Sequence, residues 1–202
     1  MPFGMPYIPS FGDQVDAFAN NHMGQQVGNG ECYALADEAL RGAGARSAPD
    51  FGKITGNADY KWGQEVDWRS AQSGDILQFR NHKIEIRTDT KTVERFPDGR
   101  SQTSSQWKTV SHVRGHHTAI VSSNNGGGVF TVYEQHVKPP GGTQVLRQVQ
   151  ENQIQVVGSK TTTKNTSMKV VPGAGTVTVE EETTVTVKVT GKVWVYRPQP
   201  KP

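Results

Sequence analysis

The most reactive side chain in the sequence is the thiol of its one cysteine, Cys32. The cysteine follows a loop with glycines at positions 28 and 30, and it begins a segment with apolar or small residues at helical spacing: Leu35, Ala36, Ala39 and Leu40. This spacing predicts a helix with one buried face, and Cys32 lies on that face in the first turn. A thiol there lies near unpaired backbone N–H groups and the positive end of the helix dipole, which lower its pKa and favour the nucleophilic thiolate. The alternative interpretation is a small core residue, because free cysteine is among the most buried residue types.

A histidine and a glutamate on two neighbouring segments are the candidate partners of that thiol. The segments on either side of the run Asn-Asn-Gly-Gly-Gly at 124–128 alternate in polarity, and this run is a strong turn signal, so a hairpin is predicted. The two-residue period places His117 on one face of the first strand, and Glu134 and His136 together on one face of the second. If both faces point towards the cysteine helix, thiol, imidazole and carboxylate meet, as in a cysteine hydrolase. The alternatives are a surface histidine pair and a solvent-facing carboxylate.

Such an arrangement gives each residue a role. His117 is the base that forms a thiolate–imidazolium pair, and Glu134 or His136 holds its ring in the productive tautomer. An amide from Gln26 or Asn29 could stabilise an oxyanion, although either is equally an ordinary loop residue.

Aromatic residues lie in the loop-like segment at 44–73 and beside the cysteine. Trp62 and Trp68 either wall a substrate groove or cover the core, and Tyr33 is a third candidate for such a groove. Zinc accepts ligands such as Cys32, His117 and His136, but no closely spaced ligand pair supports a zinc site. We therefore expect no metal and no cofactor.

Composition excludes several classes of function. The 202 residues carry a net charge of +3, with lysine and arginine intermixed with acidic residues, so no basic stripe for nucleic acid is present. One cysteine excludes an intramolecular disulfide. The first residues lack the basic start and apolar run of a secretory signal, and no segment has the length of a bilayer span, so we expect a cytoplasmic protein unless another route exports it.

The elements that must position these residues form one domain over residues 1–202. We expect an extended start at 1–12, a first helix capped by Asp13, a turn and strand at 74–79, and a final strand before a tail at 198–202. The low hydrophobic fraction of 33% and the 22 glycines indicate much solvated hairpin or loop. Two segments account for this: a polar hairpin insertion at 83–111, and a Thr/Val-rich hairpin at 158–190 with its loop around residues 180–182, where a protein partner could bind.

Four motifs in order resemble a known family. Gly-Glu-Cys at 30–32, Gly-Asp-Ile-Leu-Gln-Phe at 74–79, Gly-His-His-Thr-Ala-Ile-Val at 115–121 and Val-Tyr-Glu-Gln-His at 132–136 are similar to the CHAP branch of the NlpC-type, papain-like cysteine hydrolases. The resemblance covers about residues 11–137, with 83–111 unmatched. It implies that Cys32 is the nucleophile, His117 the base and Glu134 the orienting residue, while the family's asparagine falls on His136.

The resemblance implies an α+β, papain-like fold in which N-terminal helices pack on a central antiparallel sheet. It also implies hydrolysis of a peptide or amide bond, most naturally of peptidoglycan, through a Cys-His-Glu triad. Two alternatives share these residues: a non-catalytic CHAP-like module that binds other proteins, and an intracellular hydrolase or acyltransferase with a substrate outside the cell wall.

Overall fold

A computed structural model describes residues 9–56, 58–138 and 142–202. Its two α-helices are α1, Phe11–Asn21, and α2, Cys32–Gly42, and short 3-10 turns lie at Ala48–Asp50 and Trp68–Ser70. Its strands are β1 (Gln64–Val66), β2 (Ile76–Arg95), β3 (Ser101–Asn124), β4 (Val129–Glu134), β5 (Gln150–Gln155), β6 (Ser159–Val171) and β7 (Gly175–Arg197). Strand pairing in the sheet follows the order β1-β7-β2-β3-β4-β5, and β6 pairs with β7.

The predicted α+β class is wrong, because strands dominate the regular structure. Each α-helix has 11 residues, whereas β2, β3 and β7 have 20, 24 and 23 residues. The prediction treated 83–111 and 158–190 as decorations of a smaller sheet. In the structure β2, β3 and β7 continue into these segments, although Asn81 on β2 and Gly191 on β7 adopt positive φ angles near the predicted boundaries.

The chain divides into two compact units. Among the described residues, the first comprises those within 9–82, 113–156 and 190–202, and the second comprises those within 83–112 and 157–189. The prediction of a single domain stays a prediction. In the described part of the chain, neither α-helix has the length and apolar character of a membrane span.

In the first unit, two apolar clusters lie on opposite faces of the sheet. One joins the buried residues of both helices to Ile76, Ile120 and Tyr133. The other contains the alternate strand positions, including Leu77, Phe79, Ala119, Val121, Phe130 and Val132. Because successive side chains of a strand point to opposite faces, each strand contributes to both clusters.

The ends of the first unit differ in detail from the sequence predictions. Ser10 rather than Asp13 is the N-cap of α1, and the two residues form a reciprocal capping box. Phe11 and Gly12 are therefore helical, while residues 1–8 of the predicted extended start lie outside the described residues. The tail is paired, because Arg46 N donates to Gln199 O at 2.8 Å.

The second unit is an antiparallel ribbon. Strand β6 pairs with β7 from Ser159↔Val187 to Val171↔Gly175, and the turn between them lies at residues 172–174. The loop predicted around residues 180–182 is wrong, since those glutamates are part of β7 and pair with residues 164–166 of β6. Ion pairs such as Arg95–Glu180 at 3.1 Å link neighbouring strands within this unit.

Candidate active site

Cys32 is the first residue of α2, and its side chain is partly exposed. The loop before it needs glycine, because Gly28 and Gly30 adopt φ angles of +54° and +80°, in the left-handed region. Burial raises the pKa of the Cys32 thiol, but the hydrogen bond and charge of His117, together with backbone hydrogen bonds from Thr118 and Tyr33, lower it below its ordinary value. The thiol is therefore held in a setting that favours the thiolate.

His117 lies on β3 between the thiol and a carboxylate. Its side chain is buried, with Nε2 2.9 Å from Oε2 of Glu134, and the Cys32 thiol is near enough to affect the pKa of the ring. The Phe79 ring packs 6.0 Å away, centroid to centroid. Burial alone lowers the pKa of an imidazole, yet the hydrogen bonds and charges of Cys32 and Glu134 raise the pKa of His117 to about 9. The ring is thus positioned to carry a proton beside the sulfur.

Glu134, the last residue of β4, is fully buried and is held by an arginine. Arg114 Nη2 donates to Oε1 at 2.5 Å, and Arg114 Nε donates to Oε2 at 2.9 Å. Oε2 is the same oxygen that contacts His117. Burial raises the pKa of the Glu134 carboxyl, but the hydrogen bonds from Arg114 and His117 and their charges lower it to about 2.

The sequence pattern shows that His117 and Glu134 alternate with buried apolar residues, but it does not show which face of the sheet they occupy. His117 and Glu134 occupy the strand positions that alternate with Ile120 and Tyr133, so they lie on the face opposite to the one that the helices cover. Only the first turn of α2 reaches them, through Cys32. The apolar side of α2 packs in the other cluster.

Comparison with known proteins agrees with a thiol-bearing fold of this kind. A family model described as the AIM3/BBC1 cysteine proteinase-fold domain matches residues 7–201. The chain belongs to this family. No curated protein matches the chain. The AIM3/BBC1 match supports a cysteine proteinase fold, but not specifically the CHAP or NlpC branch that the sequence motifs resemble.

A buried glutamine holds the cysteine loop of this AIM3/BBC1 domain. Gln135 follows Glu134 and is fully buried. Its Oε1 accepts from Val27 N at 3.1 Å, and its Nε2 donates to Val27 O at 3.0 Å and to Glu31 O at 2.7 Å. Two of these bonds attach the end of β4 to Val27, and the third attaches it to Glu31, the residue immediately before Cys32. The sequence reasoning missed Gln135, although its place inside the Glu-Gln-His motif was a signal.

The secondary candidates from the sequence lie around this loop rather than beside the His117 ring. His136 follows the end of β4 with a φ of +57°, and its Nδ1 is 2.9 Å from Oε2 of Glu31. The amide of Gln26 donates to Gly28 O at 3.2 Å, and Oδ1 of Asn29 accepts from Glu31 N at 3.0 Å. All three residues thus order the loop in front of Cys32.

The three aromatic groove candidates occupy different environments. Trp62 is fully buried, and its Nε1 donates to Oε1 of Gln78 at 3.0 Å, so it is a core residue. Trp68 is partly buried against the second apolar cluster. Tyr33 is partly exposed and contacts Tyr60, with ring centroids 5.2 Å apart. Burial raises the pKa of Tyr60, and the charge of Cys32 raises it further.

Arg114 and His82 are two further buried polar residues that sequence reasoning missed. His82 Nε2 donates to Gln155 O at 3.0 Å, and its Nδ1 is buried without a hydrogen-bond partner. Burial lowers the pKa of His82, so its ring is neutral beside the site. Arg114 lies three residues before His117 on β3, but nothing in a strand pattern distinguishes a buried arginine from a solvated one. Among the described residues, no group of three or more metal-binding side chains is arranged around a common point.

Proposed function

We propose that the chain is a cysteine-dependent hydrolase of amide bonds. Cys32 is the nucleophile, His117 the general base and acid, and Glu134 the residue that orients the imidazole. The observation that carries the proposal is the 2.9 Å contact between His117 Nε2 and the fully buried, arginine-anchored Glu134, beside a Cys32 thiol whose pKa His117 lowers. Nucleophile, base and orienting group in this order are the geometric signature of covalent acyl transfer.

The reaction follows from the positions of the atoms. Because Nε2 of His117 is engaged by Glu134, Nδ1 is the nitrogen left to take the proton of the thiol. The Cys32 thiolate adds to the substrate carbonyl carbon, and backbone N–H groups of the first turn of α2, which have no intrahelical acceptor, stabilise the oxyanion. Collapse breaks the C–N bond, and the proton on His117 goes to the leaving amine. Water then adds to the Cys32 acyl-thioester with His117 as base, which releases the acid and restores the thiol.

The proposed substrate is a peptide, and peptidoglycan stem peptides or their amide linkages are the first class to test. The resemblance of four local motifs to CHAP hydrolases supports this choice. The partly exposed Cys32, followed by Tyr33 whose ring contacts Tyr60, supports a substrate that reaches the thiol from solvent.

Two measurements test the proposal. Purified protein is incubated with peptidoglycan and, separately, with a library of peptide amides, and released amines are quantified for the wild type, Cys32→Ala and His117→Gln. We expect turnover by the wild type and at least a 1,000-fold loss in both variants, on the order expected for loss of a nucleophile or base. Equal zero signals from all three proteins on every substrate would contradict hydrolysis.

The alternative of a non-catalytic binding module predicts that the Cys32 thiol is not activated. In the second measurement, iodoacetamide labels Cys32 at pH values below its ordinary pKa of about 8.5. An activated thiol reacts in the folded protein, whereas a structural cysteine reacts only on unfolding. Labelling confined to the unfolded protein, together with zero turnover, would leave a non-catalytic cysteine proteinase-fold module.

A further inference from the structure

The charges at the site form a set of four when the thiolate is present: three are buried, and the fourth, that of Cys32, is partly exposed. Cys32 and Glu134 are the anions, and His117 and Arg114 are the cations, so their formal charges cancel. Without Arg114, the same pocket would hold two anions and one cation. Unpaired charge in a buried place is strongly unfavourable, so Arg114 bears directly on whether the thiolate can form.

The geometry of Arg114 shows how this effect reaches the thiol. Its guanidinium contacts both oxygens of Glu134 through two nitrogens, at 2.5 and 2.9 Å. The side chain of Arg114 is 8% exposed and that of Glu134 is 0% exposed, so solvent does not screen the pair. Oε2 of Glu134 accepts from both Arg114 Nε and His117 Nε2, and Arg114 therefore fixes the orientation of the carboxylate that holds the ring.

We propose that Arg114 is a positioning residue that keeps Glu134 ionised and aligned with His117, and thereby lets Cys32 and His117 form their ion pair over a wider range of pH. The inference rests on the proposed function and deepens it. It assigns the low-pH activity of the site to a residue that contacts neither the thiol nor the substrate carbonyl. The step involves no new chemistry, since Arg114 only determines which groups are charged before the attack.

Other ionisable groups near the site do not substitute for Arg114. On β2, His82 faces the Arg114–Glu134 pair, but its ring is neutral and donates to Gln155 O. On the Cys32 side, Tyr60 is a neutral phenol whose hydroxyl donates to Thr55 O at 3.0 Å. Before α2, the carboxylate of Glu31 is paired with His136 and Arg147. Among the described contacts of Glu134, Arg114 is the one permanent cation.

The test measures how the rate of Cys32 alkylation by iodoacetamide depends on pH. Arg114→Met removes the cation but keeps most of the side-chain volume, so the midpoint of thiolate formation moves up by at least one pH unit. Labelling at a pH below the wild-type midpoint therefore falls at least tenfold. Arg114→Lys keeps the charge but cannot contact both oxygens in a fork, and we expect an upward shift less than half as large.

A double-mutant cycle shows whether Arg114 acts through Glu134. In a Glu134→Gln background, Arg114→Met changes the midpoint by less than a third of its effect in the wild type, because the carboxylate that Arg114 holds is gone. An equal shift in both backgrounds would overturn the inference, since Arg114 would then act on the thiol directly through space. If Arg114→Met does not fold, Arg114→Lys carries the test, and an unchanged midpoint in that variant overturns the inference.

Arg197→Met is the matched control. Arg197 also contacts both oxygens of a buried carboxylate, that of Asp75, at 3.2 and 3.0 Å. Asp75 bonds the backbone of Val121, four residues along β3 from His117. This variant loses thermal stability without moving the midpoint of Cys32. If the wild-type Cys32 midpoint lies below the ordinary thiol pKa and Arg114→Met has the same midpoint, only the role of Arg114 is refuted. If the wild-type midpoint equals the ordinary thiol pKa, the proposed function is refuted as well.

Discussion

Replacement of Gln135 by leucine is the sharpest perturbation of the site that leaves every reacting group in place. Leucine approximates the volume of glutamine, so the change removes hydrogen bonds without opening a large cavity. The three bonds to Val27 N, Val27 O and Glu31 O are lost together, and these backbone groups remain near a buried apolar side chain.

The magnitude follows from the number of bonds. At a net value of about 1 kcal/mol for each hydrogen bond, Gln135→Leu lowers the free energy of unfolding by roughly 3 kcal/mol. For a chain of this size, each kcal/mol moves the melting temperature by about 2–4 °C, so we expect a decrease of about 6–12 °C. The cysteine loop also loses its attachment to β4, and the alkylation midpoint of Cys32 moves towards the ordinary thiol value of about 8.5.

Two assays on the same sample read out these effects. Thermal unfolding followed by circular dichroism gives the change in stability, and the pH dependence of iodoacetamide labelling below the melting transition gives the state of the thiol. Gln25→Leu is the control, because Gln25 is exposed and its side chain makes one weak contact, to Asn21 O at 3.4 Å. It should change stability by less than about 0.5 kcal/mol.

Either of two results would refute this reasoning. A melting temperature equal to that of the control would show that the three bonds do not hold the loop. A lowered melting temperature with an unchanged Cys32 midpoint would show that they stabilise the fold without positioning the thiol.

Three further predictions concern single residues. Glu134→Gln lowers the pKa of His117 from about 9, because an anionic acceptor is replaced by a neutral one, and an NMR titration of the ring that matches the wild type would contradict the hydrogen bond. Glu134 has a folded-state pKa of about 2 against an ordinary 4.5, so its stabilising contribution is present above pH 4.5 and is lost as the pH falls towards 2. Urea unfolding should therefore show a loss of about 2 kcal/mol between pH 6 and pH 3 that Glu134→Gln does not show, and parallel curves for the two proteins would count against it. Trp62→Phe removes the hydrogen bond to Gln78, and we expect it to lower the free energy of unfolding by about 1–2 kcal/mol without changing the pH midpoint of Cys32 alkylation. A raised KM with unchanged stability would instead show that Trp62 lines the substrate groove.

Local patterns were enough to predict the elements that carry the candidate site. The helical spacing after Cys32 predicts α2, and the alternation around the glycine turn at 124–128 predicts the hairpin of β3 and β4. These features depend on the chain within one or two turns or strands, where side-chain periodicity and turn chemistry dominate. The resemblance to papain-like hydrolases agrees with the family to which the chain belongs, at the level of a cysteine proteinase fold.

The predicted fold class failed because strand length is not a local property. A polar segment such as 83–111 alternates weakly, and its neighbours alone do not show whether it leaves the sheet or continues it. In the structure it continues β2 and β3, and 158–190 likewise extends β7. Pairing between distant strands, which stabilises such polar segments, is absent from any local window.

The sequence by itself determined that a lone thiol begins a helix, and that a histidine and a glutamate stand at alternating positions of a hairpin. Tertiary structure decided which sheet face His117 and Glu134 occupy, that only the first turn of α2 meets them, and that Arg114 and Gln135 hold the parts in place. The reason is physical: periodicity shows which residues of one element share a face, whereas burial and hydrogen bonding of a charged or amide group depend on elements brought together from distant parts of the chain.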